Sequence, residues 1–549
     1  MHNIRIAKVF NWEALIILIA LLPLFNLINA GSPVTHDGQD HIARIANFYQ
    51  SLHEGNIVPR WAGNLNWGYG HPVLMFLYPL PSYLASLLHW LGFSLVDSVK
   101  LLFATAYIVS MLAMYWWVKL EWGKIPGFIA ALLYGFAPYR FVDMYVRGAL
   151  GEHVSFIFLP LIMLSIIRLS HGHLAKWGIL VSLATAGLLL SHNAVSIMFI
   201  PVIIIYIIYC FSFHDDSIKF IILTVGFILL GFLMSAFFWL PALLEGKYTL
   251  RNIVLEGDII SRFVPFSAFI YSPWSYGGSD QLTKQIGIVH WAAIAGSIVS
   301  LHKTRQQQIR WYLGVGIVVF FVSLFMMTRW SYPIWKVLPL LITFQFPWRI
   351  LTISVFIVSA LCGPVMSVLC KKISRTALIL IILPLLLFTN SMWQAKTYTV
   401  MDESFYKGIY YGTTDTGESS PIWSTRFMEN RAARQIEVAE GEAIIKKVKY
   451  MSANHIYDVQ ALTRTKLLEN TLYFPGWKVF VDAKPVEIEF QNPLYRGLMT
   501  FWLNPGKHTV EIRFFETKLR LIADLISIFS LTVFLFIFLH SHNYRKFKT

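Results

Sequence analysis

The sequence predicts an all-α polytopic membrane protein with one small extracytoplasmic β-rich, sandwich-like domain near its C-terminus. Three observations carry this. The 549 residues are 56% hydrophobic and only 14% charged, whereas a soluble chain carries roughly a quarter charged residues. Apolar runs long enough to cross a bilayer recur along most of the chain. Between residues 392 and 517 charge density rises and the pattern changes: "KLLENTLYFPGWKVFVDAKPVEIEFQ" and "GLMTFWLNPGKHTVEIRFFE" alternate as strands do, with turns at Pro475-Gly476, near Asp482-Ala483 and at Asn504-Pro505-Gly506.

Apolar runs lie near 11–30, 72–92, 97–118, 125–139, 154–167, 174–191, 194–212, 219–243, 287–301, 311–328, 349–369, 375–391 and 518–540. The first has no small-residue cleavage site and reads as a retained span. The short basic segments "KLEWGK" (119–124), "RLSHGHLAK" (168–176), "HKTRQQQIR" (302–310), "CKKISR" (370–375) and the tail "NYRKFKT" (543–549), with Arg5 and Lys8, belong on the cytoplasmic side. Alternation from either end then places residues 31 and 97 both outside, so the run at 72–92 does not cross. Pro72, Pro79 and Pro81 break its first half, as expected of an interfacial or re-entrant helix. The result is twelve spans in the plasma membrane with both termini cytoplasmic. The domains are a transmembrane unit over 1–391 whose external loop 31–96 carries surface helices, an extracytoplasmic β-rich domain over 392–517, and a last span with a basic tail over 518–549. A count of thirteen puts one basic terminus outside.

The net charge of +15 matches basic loops facing anionic lipid and does not call for nucleic acid. Cys210 and Cys362 fall in apolar segments and Cys370 at the edge of one, so neither a disulfide framework nor a CxxC metal motif is indicated.

Under this topology the polar groups collect on the outer face. In "THDGQDHIARI" (35–45), a helix beginning near Asp37 places Asp37, Asp40, His41 and Arg44 on one face and Ile42, Ile45, Tyr49 and Leu52 on another. The next external loop, "APYRFVDMYVRGALGEHVSF" (137–156), supplies Arg140, Asp143, Arg147, Glu152 and His153. Glu152 and His153 sit where the chain re-enters the membrane, a costly depth for ionisable groups unless they face a polar cavity. "SHNA" (191–194) adds His192, and "TFQFPWRIL" (343–351) adds Gln345 and Arg349. The loop 244–286 adds Arg251, Glu256, Asp258 and Arg262. Carboxylates beside histidines suit a divalent metal or a general base, and guanidinium forks suit phosphate. Taken singly, each has a plainer reading: a solvated helix end for the Asp37 cluster, a salt bridge for Arg147 and Glu152, a turn cap for His192, and a topology anchor or stacking group for Arg349.

An acidic motif directly after the first span, a long first loop with surface helices and a second acidic motif in the next loop together resemble the GT-C glycosyltransferases, including oligosaccharyltransferase catalytic subunits and protein O-mannosyltransferases. The chain is more similar still to a bacterial and archaeal membrane family labelled "6-pyruvoyl-tetrahydropterin synthase-related". The residues that carry this are "HDGQDHIARI" (36–45), "GNIVPRW" (55–61), "GYGHPVLMFLYPLPSYL" (68–84), "APYRFVDMYVRGALGEH" (137–153), "SHN" (191–193) and "QFPWR" (345–349). "YFPGWKVFVDAKPVEI" (473–488) looks like the external domain of membrane proteins linked to lipoteichoic-acid glycosylation. The resemblance spans nearly the whole chain. The family label does not transfer a pterin synthase activity, because nothing in the sequence places three histidines in a zinc-binding frame.

The GT-C resemblance implies a lipid-phosphate sugar donor, a first-loop acid at Asp37 and a second-loop acid at Glu152. It also implies a possible divalent metal, Mg or Mn, held by Asp37 and Glu152. The chain departs from the oligosaccharyltransferase pattern in having Gly-Glu-His at the second acid and in lacking a tryptophan–tryptophan–aspartate motif. The expectation is therefore an inverting transfer from a polyprenyl-phosphate sugar to an envelope glycan, lipid or protein. In it Asp37 and Glu152 act in catalysis, with Arg147, Arg349, Arg140, His41, His192, His153 and Asp40 around substrate and phosphate. The β-rich domain grips acceptor or glycan. A transporter or flippase of lipid-linked sugars and a non-catalytic envelope-assembly protein are the competing readings.

Overall fold

Helices stack against one another through most of the chain and leave one end covered by irregular segments and a β-domain. The structure, a computed structural model, describes residues 11–172, 174–255, 259–278, 281–369 and 375–543. Arg5, Lys8, Glu256, Asp258, Cys370, most of the "CKKISR" run and the tail from 544 lie outside the described residues.

Helices occupy all twelve expected spans. Among the described residues six are long and apolar enough to cross a membrane, and up to eight if each of two bent pairs counts as one span. The six are Leu95–Trp122, Leu150–Ser170, Asn193–Phe213, Gln307–Met326, Pro347–Leu369 and Lys518–His540. The bent pairs are Lys124–Gly135 with Pro138–Arg147, at 48°, and Ile218–Met234 with Ala236–Tyr248, at 70°. The apolar helix Trp12–Ile28 is shorter, as are Ile288–Lys303 and Arg375–Thr389, so length and composition do not fix the count at twelve. The run at 72–92 is broken as its prolines dictate, into Val73–Phe76 and Leu80–Trp90 with an extended residue, Leu77, between them.

The first loop is tied to distant chain. Strand β1 (Ser32–Pro33) pairs with β2 (Tyr398–Thr399). The Arg60 guanidinium donates to Glu516 at 3.0 Å and to Asp524 at 2.7 Å. Strands β3 (Ile436–Glu440), β4 (Ala443–Met451), β5 (Asn454–Ala461), β6 (Thr465–Leu472), β7 (Trp477–Val481), β8 (Lys484–Val486), β9 (Leu498–Leu503) and β10 (Gly506–Phe514) form two antiparallel sheets. One runs β4-β5-β10-β7-β8 and the other β3-β6-β9. Alternation explains the pairing: Tyr457 and Val459 on β5, and Val510 and Ile512 on β10, all point into a core shared with Leu467, Phe474 and Phe501. The β7–β8 hairpin turns on Asp482 and Ala483, both with positive φ (50° and 63°), the conformation a tight two-residue hairpin requires. The core continues into the first loop through Trp61, Tyr69 and Phe76. Residues 400–435 carry no strand and one short helix, Glu403–Lys407. They run as an irregular strap across the end of the helix bundle.

Candidate functional site

The helix Gly38–His53 begins where the acid–histidine pattern places it, with Asp37 as its N-cap residue. The Asp37 carboxylate is exposed and makes no capping bond to its own helix. Its backbone is fixed: Asp37 N–H donates to Arg147 O at 2.8 Å and His36 N–H to Val146 O at 3.0 Å. The two loops named by the sequence thus touch. The second approaches through a π-helical turn, Val142–Arg147, closed by Gly148 at φ 69°. A Cβ at Gly148 would overlap Thr35 Oγ1 and stand 3.1 Å from the Gly38 nitrogen, so both the left-handed backbone and the close approach call for glycine. Single π turns of this kind recur at functional sites.

Arg147 and Glu152 are the centre of a buried network. Arg147 Nη1 donates to Glu152 Oε2 at 2.7 Å, to Asp143 Oδ1 at 2.5 Å and to Tyr139 Oη at 3.1 Å. Glu152 Oε1 accepts from Tyr139 Oη at 2.6 Å and Thr352 Oγ1 at 2.7 Å. The guanidinium lies over the Trp348 ring, 4.5 Å from its centre. Such a group of charges is tolerated in a helix bundle only because nearly every oxygen has a donor. Arg349 lies on the same end, within electrostatic reach of Glu152. Its Nη1 donates to Phe344 O at 3.0 Å and Gln345 Oε1 at 3.1 Å, while its Nε is buried without a partner. Gln345 adopts φ 63° and donates to both carboxylate oxygens of Glu418 at 3.2 Å.

Sequence reasoning missed the strap. Tyr410 Oη donates to Asp40 Oδ1 at 2.9 Å, and Arg44 Nε donates to Thr414 Oγ1 at 3.1 Å, each across 370 residues. Arg44 also donates to Thr414 O and lies 3.2 Å from His41 Nδ1. The polar face of the first-loop helix is therefore covered, not solvated: His41 and Arg44 are buried. Burial raises the Asp40 carboxyl above its ordinary range, partly offset by the Tyr410 hydrogen bond. Burial and the Arg44 charge hold His41 well below its ordinary value, so its ring is neutral at pH 7. The strap also brings in Asp415 and Glu418. Asp415 accepts from the Gly417 and Ser419 amides at 2.9 and 3.0 Å. Burial, then the Asp415 charge, raise Glu418. The only local signal was "GTTDTGES" (412–419), two acids among small polar residues.

His192 is buried, caps the helix Asn193–Phe213 by accepting from Val195 N–H at 3.2 Å, and packs 5.1 Å from the Tyr78 ring. It lies within electrostatic reach of Glu152 and His41. Arg140 is fully buried over the Phe156 ring at 4.0 Å and donates to Ser110 Oγ at 2.9 Å. His153 Nε2 meets Phe103 O at 3.1 Å and its ring stacks with Tyr107. These two are held by the helix interior, whereas Asp37, Asp40, His41, Arg147, Glu152, His192 and Arg349 gather at one end. An Mg or Mn ion shared by Asp37 and Glu152 does not fit this arrangement. The Glu152 oxygens are taken by Arg147, Tyr139 and Thr352, and among the described residues no three His, Cys, Asp or Glu side chains converge as ligands.

Solved structures with partial likeness include the arabinofuranosyltransferase AftD from Mycobacteria, at 13% identity and a TM-score of 0.48, covering 70% of this chain and 26% of that one. The oligosaccharyltransferase of Archaeoglobus fulgidus, in complex with Zn and sulfate, matches at 12% identity and a TM-score of 0.41, covering 75% and 58%. ArnT from Cupriavidus metallidurans bound to undecaprenyl phosphate matches at 10% identity and a TM-score of 0.30, covering 70% and 89%. An uncharacterised protein of Lactococcus lactis subsp. cremoris is 24% identical over 261 residues, 45% of this chain and 42% of that protein, so the chain spans less than half the length of this relative. The sequence from residue 74 to 397, more than half of the chain, matches one family throughout. The chain belongs to that family, the membrane proteins described as having a 6-pyruvoyl-tetrahydropterin synthase related domain.

Proposed function

We propose that the protein is an integral-membrane glycosyltransferase that moves a sugar from a polyprenyl-phosphate donor to a hydroxyl acceptor on the extracytoplasmic side of the plasma membrane. The observation that carries this is the pairing of an unengaged carboxylate, Asp37, with two arginines at one end of the bundle. Asp37 is exposed and held by backbone to Arg147.

In this mechanism Asp37 takes the acceptor hydroxyl proton as general base. The acceptor oxygen bonds to the anomeric carbon from the face opposite the phosphate. The bond from that carbon to the phosphate oxygen breaks, and the polyprenyl phosphate leaves with its electron pair. Arg349 and Arg147 stabilise that developing charge. Their shares differ. Arg147 is already matched by Asp143 and Glu152. Arg349 bonds only neutral oxygens, Phe344 O and Gln345 Oε1, so its charge is left for the phosphate. Glu152 is then a positioning residue that aims Arg147, and His41, neutral at pH 7, orients Arg44 and the strap. The donor's lipid lies between spans, and no step passes through a metal.

The test compares lipid-linked sugars and envelope glycans by mass spectrometry in cells with and without the protein. The expected result is loss of one glycan modification with accumulation of a polyprenyl-phosphate sugar. If both pools are unchanged, the reading fails.

A further inference from the structure

A cavity of about 300 Å³, with Asp37 outside its lining, lies between the first loop, the end of the strap and the β-domain. This is the lower end of the size range of small-ligand sites. Trp67 and Tyr69 come from the first loop, Arg431 and Arg434 from the strap, and Lys447 and Tyr450 from β4. Among the described residues that line it, none carries a carboxylate. Arg431, Arg434 and Lys447 are exposed, so their charge is available to a ligand and not spent on neighbouring acids.

The wall carrying Trp67 is built at a cost. Asn66 and Trp67 both hold positive φ, 54° and 60°, where side chains with a Cβ are disfavoured. Two backbone bonds keep them there: Asn66 N–H to Gly412 O at 2.8 Å and Trp67 N–H to Tyr410 O at 2.9 Å. Consecutive strained residues held from outside mark ligand clamps and active sites. Here the strain turns a half-buried indole toward a basic hollow. The partners matter too, because Tyr410 is the residue that donates to Asp40. One short stretch of strap therefore borders both the cavity and the Asp37 site.

We propose that this cavity binds an anionic saccharide, with Trp67 against a sugar face and Arg431, Arg434 and Lys447 on its carboxylate or phosphate groups. Identifying that saccharide as the acceptor chain rests on the glycosyl-transfer reading. The binding itself does not, and it is measured without any turnover.

The experiment is equilibrium binding of defined probes to the purified full-length protein in detergent: tetragalacturonate, the neutral maltotetraose, and tripolyphosphate. Tetragalacturonate is expected to bind at least about tenfold more tightly than either of the others, since only it has both sugar faces and charges. Arg431→Ala with Arg434→Ala weakens it by about tenfold or more, the loss expected for charge-assisted bonds. Trp67→Leu also weakens it and leaves tripolyphosphate unaffected. Lys446→Ala, on an exposed residue of the same strand outside the lining, changes nothing. Equal binding of maltotetraose, wild-type binding by the double arginine variant, or wild-type tetragalacturonate binding by Trp67→Leu each overturns the proposal. Failure of transfer activity with these results intact removes the acceptor assignment alone.

Discussion

Replacing Glu152 with Gln isolates what the buried network does for Arg147. Glu152 accepts three bonds, from Tyr139 at 2.6 Å, Thr352 at 2.7 Å and Arg147 at 2.7 Å. A glutamine carbonyl keeps the first two, but its amide then faces the Arg147 guanidinium, donor against donor. The variant therefore loses one charge-assisted bond, worth about 1.5–3 kcal/mol. Asp143 still pairs with Arg147 at 2.5 Å, so the full cost of an unpaired buried charge, about 3–5 kcal/mol, is not incurred. About 2 kcal/mol corresponds to roughly a thirtyfold change in an equilibrium constant. The expected outcome is a lower denaturation midpoint in detergent and roughly tenfold or greater weakening of undecaprenyl phosphate binding by the purified protein. Asp143→Asn combined with Glu152→Gln leaves Arg147 uncompensated and costs more than the two single changes together. A Glu152→Gln protein that melts and binds undecaprenyl phosphate like the wild type refutes the positioning role.

Three other outcomes follow from the same contacts. Thr352→Val removes one of three donors to Glu152 and lowers stability by about 1 kcal/mol, measured as a shift in denaturation midpoint, with little change in lipid-phosphate affinity. Asp40 titrates above its ordinary value. A carboxyl raised in the folded state contributes stability that is complete below the unfolded value and lost as pH rises through the folded one. The Asp40 contribution to the melting temperature therefore falls as pH rises above the ordinary carboxyl range, and Asp40→Asn, whose amide oxygen still accepts from Tyr410, removes that contribution when its melting curves are compared with the wild type across acid pH. Arg44→Ala removes both strap contacts to Thr414 and is expected to make residues 409–421 cleavable by protease while the helix bundle stays folded.

The sequence made the bundle, the break at Pro79 and Pro81 and the alternation of β7, β9 and β10 legible, because each rests on local periodicity. The first-loop helix and its start at Asp37 were legible for the same reason. What periodicity does not encode is contact across hundreds of residues. Nothing local to Arg44 announces Thr414, and nothing local to Asp40 announces Tyr410. Glu152 was visible as a costly acid at a membrane re-entry, but its partners Tyr139 and Thr352 read as ordinary helix residues. Arg140 and His153 share Glu152's stretch and, like it, are ionisable. Arg140 precedes the π turn and lies over the Phe156 ring, and His153 follows it and meets Phe103 O, so the bundle interior holds both. The span count stayed open for a physical reason: bends of 48° and 70° and helices of thirteen to sixteen residues break the equation of one apolar run with one straight crossing.

The most direct measurement is turnover of lipid-linked sugar in membranes reconstituted with the wild type and with Asp37→Asn. Asp37 is exposed and caps no bond in its helix, so the variant folds as the wild type does and the comparison reports on chemistry. Loss of a general base is expected to slow transfer by about 10²–10⁴-fold with undecaprenyl phosphate binding unchanged. Turnover equal to that of the wild type would contradict the assignment of Asp37 as the base.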